Sequence, residues 1–177
     1  VPAFTIVAFD GFRPSATPVQ VNVELVNLAP TFTFVPTLTG GQEDLPYPIP
    51  HAALLAQANE ADQNNDPISF RIGQLGVGTL TVNGLPVVAG STMITASDTA
   101  TWTPPANLTG VFPAFSIRAF DGDLLSSAEV PVNISLIAVP DSPTLTTINT
   151  ISLGFESLPF DFTYGIVATA ANENDAD

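Results

Sequence analysis

Residues 113–122 read Pro-Ala-Phe-Ser-Ile-Arg-Ala-Phe-Asp-Gly, and the chain opens with a near copy of them, Pro2 to Gly11. Setting residues 1–11 against 112–122, a shift of 111, leaves differences only at Val1/Phe112, Thr5/Ser116 and Val7/Arg118. A period of roughly 110 residues is that of a whole domain, since solenoid turns repeat about every 20 to 50. The register continues through Val19, Val21, Val23, Leu25 against Val130, Val132, Ile134, Leu136, after which the later copy gains two residues. From Pro30 onward the shift is 113, which sets Glu43, Leu45, Pro46, Tyr47 on Glu156, Leu158, Pro159, Phe160. At the same shift Ala58, Asn59, Glu60, Asp62 fall on Ala171, Asn172, Glu173, Asp175. The expected organisation is the tail of one repeat (1–30), a complete repeat (31–139), and the linker and head of a third (140–177).

Composition narrows what such a domain can be. With 45% apolar and 11% charged residues the chain belongs among folded proteins. Three arginines and no lysine stand against 17 acids, for a formal charge of −14. Such a surface repels nucleic acid and anionic lipid. No apolar run approaches the ~20 residues of a membrane helix, so no membrane insertion is expected of this piece, and the lack of a leader is what an internal fragment would show. Without cysteine there is no disulfide framework, so stability must come from core packing or bound cations.

Short apolar stretches follow one another with turn signals every 8 to 12 residues and no convincing helix, which indicates an all-β antiparallel sandwich. Phe4 to Phe9 and Val19 to Leu25 form a hairpin with one wet face. Phe32 to Leu38 starts the complete repeat, and Gly40 and Gly41 are expected to break that strand. Prolines 46, 48 and 50 suit a sheet edge. His51 to Gln57 is read as strand. Ile68 to Ile72 follows, then a hairpin about Asn83-Gly84, then Ser91 to Ile94, Thr99 to Thr103 and Phe112 to Phe120. Trp102 reads as a core plug and His51 as a structural residue.

The acids gather at loops. Asn59 to Asp66 holds Glu60, Asp62 and Asp66, and its copy holds Glu173, Asp175 and Asp177 at alternate positions. In a seven-stranded sandwich the loop after the second strand lies at the same end as the loop after the sixth, here Asp121-Gly122-Asp123, and the linker Asn27 to Pro30 reaches that end too. Carboxylates within about 5 Å of one another repel unless a cation sits among them, and six to eight oxygens suit Ca2+ better than magnesium. A second site is expected at the far end, where Glu43 approaches the linker Val139-Pro140-Asp141-Ser142-Pro143 and Glu173, Asp175 and Asp177 complete it. Ions shared across a boundary turn a flexible linker into a clamped hinge.

The order Glu-Asp, acidic Asx-rich loop, Gly-Thr-Leu, Trp-Thr-Pro-Pro, Phe-x-Ile-x-Ala-x-Asp-Gly and Val-Pro-Asp-Ser-Pro resembles a cadherin-like tandem repeat of large bacterial surface adhesins. The resemblance covers essentially the whole chain. It implies an Ig-like/cadherin-like sandwich, extracellular placement at a cell surface, calcium ligation by Glu43, Glu60, Asp62, Asp121 and Asp141, and a stalk whose partners are adjacent repeats or like chains in a filament. Two departures are the absence of Asp-Arg-Glu where Trp102 to Pro105 stands, and a first linker without a carboxylate, so the first boundary is expected to hold fewer ions than the second, or none.

No Gly-x-Ser-x-Gly elbow, Cys or Lys nucleophile, second histidine or phosphate loop is present. A carboxylate pair for glycoside hydrolysis is the one chemistry left. Because the acids cluster at strand ends, the expectation is a structural spacer and no enzyme. The alternatives are a module recognising glycan or protein through sandwich loops, or a filament subunit assembling by strand pairing.

Overall fold

The computed structural model describes residues 1–152 and 154–174. In chain order the elements are β1 (Pro2–Ile6), β2 (Val19–Asn22), β3 (Leu38–Gln42), β4 (Tyr47–Pro50), α1 (His51–Leu55), β5 (Ser69–Leu75) and β6 (Thr79–Val82). They continue with β7 (Leu85–Pro86), β8 (Met93–Ile94), β9 (Thr99–Thr103), β10 (Gly110–Phe120), β11 (Val130–Ile137) and α2 (Tyr164–Ala170). One sheet has the order β3-β11-β10-β5-β8, a second the order β4-β9-β6-β7, and β1 and β2 pair by themselves. The chain is therefore mostly β, as expected.

The core lies between the larger two sheets. Phe70, Ile72, Ile94, Ile117, Ala119, Val132 and Ile134 come from one, and Ile49, Leu80, Val82, Ala100 and Trp102 from the other. Along β11, and along β10 from Phe115 to Ala119, every second side chain points inward as the strand period requires, while an irregularity between Pro113 and Phe115 buries Ala114 as well. Trp102 is fully buried and donates its indole N–H to the Val77 carbonyl at 2.8 Å, so the plug is anchored as well as packed. Asn83 and Gly84 turn the β6–β7 hairpin with φ of 51° and 78°, the left-handed pair such a tight turn demands. Pro48 and Pro50 lie in β4, an edge strand, where a missing N–H costs no ladder bond.

Four expectations are corrected. His51–Leu55 is helical, not strand. Extended Pro50 starts it, Ala52 to Leu55 are strong helix formers, and one turn places His51 and Leu54 against the core. Its repeat counterpart, which suggested a strand, is itself the helix α2, capped by Thr163. Gly40 and Gly41 do not break a strand but lie inside β3. A side chain at Gly41 would stand 2.7 Å from the Leu136 side chain, so glycine is what admits β3 beside β11. That pairing is parallel, Ile134 against Leu38 and Leu136 against Gly41, so the sheet is mixed and not purely antiparallel. Ahead of β3, Phe32 and Val35 are buried without strand pairing, and this stretch contributes only the Thr31–Ala61 bridge.

Candidate functional site

The two Asp-Gly turns share one hydrogen-bond pattern. Asp121 Oδ1 accepts the N–H groups of Asp123 (2.8 Å) and Leu124 (2.7 Å), and Asp10 Oδ1 accepts those of Phe12 and Arg13, both at 2.8 Å. This is the Asx turn, in which a short side chain imitates a backbone carbonyl. Ser126 Oγ accepts from Ala119 N–H as Ser15 Oγ accepts from Ala8 N–H. The copies also agree further along: Asn59 Oδ1 accepts from Thr33 and Phe34, and Asn172 Oδ1 from Thr146 and Thr147.

The copies part company at the second carboxylate oxygen. Asp10 is exposed, whereas Asp121 is buried and its Oδ2 accepts the amide of Asn27 at 3.0 Å. Burial opposes ionisation of Asp121, yet the Leu124 and Asp123 N–H groups and the Asn27 amide together hold its carboxyl below the usual carboxylate range. Leu28 N–H donates to Asn64 Oδ1 at 3.0 Å, and Thr31 and Ala61 exchange backbone bonds of 2.8 and 2.9 Å. Linker, acidic loop and Asp121 turn thus meet at one end of the sandwich. Asp62 Oδ1 is committed to the N–H groups of Asn64 (2.8 Å) and Asp66 (3.0 Å). Asp66 and Asp123 are exposed.

At this end three buried oxygens have no hydrogen-bond partner: Asn27 Oδ1, Glu60 Oε2 and Asp62 Oδ2. A buried acceptor without a donor costs about 1 to 3 kcal/mol, so three such atoms together need an explanation. Rotating the Asn27 amide does not provide one, because it would turn the amide oxygen onto the Asp121 carboxylate. Burial pushes the Glu60 carboxyl above its ordinary value, the mark of a carboxylate short of positive neighbours. Among the described residues no group of three or more His, Cys, Asp or Glu stands close enough to hold a metal; the unpartnered set combines two acids with an amide. Sequence reasoning passed over Asn27 because it sought carboxylates in the linker. Its signal was an Asx residue three positions before Pro30.

At the opposite end Glu43 is buried, and its Oε1 accepts the Val139 N–H at 2.7 Å. Its own N–H donates to the Ile137 carbonyl at 3.1 Å, so Glu43 is tied to the end of β11 and the residues that follow it. Asp141 is half-buried, Glu173 is exposed, and Asp175 and Asp177 lie outside the described residues.

No family model matches the chain, and no curated protein is similar to it. Among solved structures it is similar to an endo-fucoidan hydrolase of glycoside hydrolase family 107, at 19% identity and a TM-score of 0.39, over 77% of this chain and 18% of that one. The chain thus spans under a fifth of that enzyme's length. The expectation that the chain is no enzyme does not stand: a solved structure similar to it is a hydrolase. So low a TM-score carries no argument for an activity either.

Proposed function

We propose that the chain is a spacer segment of an extracellular, surface-borne array of Ig-like or cadherin-like sandwich repeats, stiffened by calcium at the repeat boundaries. The observation that supports this reading is the trio of buried, unpartnered oxygens on Asn27, Glu60 and Asp62. They are contributed by a linker and by the loop it crosses, so a cation that satisfied them would fasten the preceding segment to the sandwich. The donor set is all oxygen, which suits a hard cation. Asn27, Glu60 and Asp62 would hold the ion and Asp121 would position Asn27. The ion would supply charge neutralisation and linker rigidity. Glu43 and Asp141 are the corresponding candidates at the far boundary.

The test is thermal unfolding with and without millimolar calcium, joined to small-angle scattering. A ligand bound only by the folded form raises the midpoint. A raised midpoint with a lengthened particle is the expected result; unchanged midpoint and length would sink the clamp.

Assembly by strand pairing has an observation of its own in the β1–β2 hairpin. Ile6 and Val19 are 52% and 62% exposed, while their repeat counterparts Ile117 and Val130 are 0% and 4% exposed. The hairpin lacks the cover that β10 and β11 enjoy, and either strands of its own repeat or a like chain would supply it. Sedimentation across a hundredfold range of concentration separates the two, since only pairing between chains raises the mass.

A further inference from the structure

Two of the chain's three cations are neighbours. Arg71 on β5 and Arg118 on β10 are register partners, and both point away from the core, flanked along their strands by buried Phe70, Ile72, Ile117 and Ala119. Like charges directly opposite each other destabilise a sheet. In a chain carrying 17 acids one would expect carboxylates to pair with them; Glu129 stands opposite Arg118 just before β11, yet among the described residues neither arginine forms an ion pair. Arg118 donates from Nε to the Ser126 carbonyl (2.8 Å) and from Nη2 to the Ser127 carbonyl (3.0 Å). These neutral acceptors fix the plane of its guanidinium and leave the charge unpaired. Arg71 makes no side-chain hydrogen bond or ion pair among the described residues. The closest acid by register is Glu129, one residue before Val130, the partner of Ile117. Its carboxylate is engaged instead by the Ser116 hydroxyl and, at 3.1 Å, the Gln74 N–H.

The earlier copy carries Val7 at the position of Arg118, so the repeated sequence pattern does not itself call for a cation there. A pre-oriented fork beside a second free guanidinium is the geometry that grips a carboxylate with paired N–H groups. The net charge of −14 opposes a polyanion at longer range while leaving a contact inside the ~8 Å screening length intact. We propose that the outer face of the five-stranded sheet is an anion site, in which Arg71 and Arg118 together take a single carboxylate carried by a ligand of low overall charge.

With only three arginines, their Nε–Hε signals can be followed individually by NMR while acetate replaces chloride at constant ionic strength. The expected result is a saturable shift of the Arg71 and Arg118 signals with Arg13 unmoved. Arg71→Gln, an outward-facing change that spares the core, is expected to weaken acetate binding at Arg118 roughly tenfold or more. Linear, unsaturated shifts, or equal shifts at all three arginines, would overturn the site. Dextran sulfate binding more tightly per charged group than acetate would overturn the restriction to weakly charged ligands. A shift of the Arg118 signal on Glu129→Gln without acetate would identify Glu129 as its partner and also overturn the proposal.

Discussion

Asp98 shows how much one carboxylate can organise. Its Oδ2 accepts the Thr95 hydroxyl (2.6 Å) and N–H (2.8 Å), and its Oδ1 accepts the Asn83 amide (2.6 Å). The Thr95 hydroxyl first, then the Thr95 N–H and the Asn83 amide, hold its carboxyl below the ordinary value. A carboxyl depressed in the folded state contributes stability above its unfolded pKa of about 3.9, and that contribution is lost as pH falls through the folded value. Asp98→Ala should therefore cost about 1 to 2 kcal/mol at neutral pH, with the gap to the parent closing below about pH 4; urea titrations at pH 7 and pH 3 measure both. Glu60 has the opposite sign. Burial raises its carboxyl, so its charge opposes folding once the pH exceeds the folded value. Glu60→Gln is expected to leave the calcium-free protein as stable or slightly more so, and to remove the calcium-induced rise in melting temperature. A Glu60→Gln protein that kept the full calcium response would exclude Glu60 as a ligand.

At the scale of elements, the strands were legible wherever alternation and turn chemistry agreed. Asn83-Gly84 announced β6 and β7, and the prolines announced an edge. The helix α1 was not legible, because five residues carry barely one turn of periodicity and an apolar run that short fits either structure. Nor was the parallel partner of β3, since Gly40 and Gly41 signal a break or a close approach equally well. Glu60 and Asp62 were legible as candidates but Asn27 was not, and nothing in the sequence separated them from Asp66 and Asp123: charge counts find acids, whereas burial singled out Asn27, Glu60 and Asp62 and left Asp66 and Asp123 in solvent. The glycines themselves make a graded test. A side chain at Gly76 would stand 1.9 Å from the backbone carbonyl of Pro113, whereas one at Gly41 first meets the flexible end of Leu136 at 2.7 Å. Gly76→Ala is expected to cost about 2 to 3 kcal/mol and Gly41→Ala about 1, by chemical denaturation. Equal costs would mean that β10 yields as easily as a leucine side chain does.

The molecule as a whole is uneven. Residues 31–139 hold every buried hydrophobic side chain among the described residues, while the flanking segments repeat the same local bonds without a comparable core. Amide exchange should follow this division. Protection in β10 and β11 is expected to approach the global stability, and that in β1 and β2 to be orders of magnitude lower. Similar protection in both hairpins would mean that the first hairpin finds cover in solution.

The parallel pairing of β3 with β11 also sets how the sandwich answers a pull. The chain enters β3 and leaves β11 at opposite ends of one ladder, and Glu43 pins the exit at Val139. Tension applied through the two linkers loads these hydrogen bonds lengthwise, in shear, so that they must fail together instead of unzipping one at a time. In the spacer proposed above, this ladder would act as a mechanical latch along the line of tension.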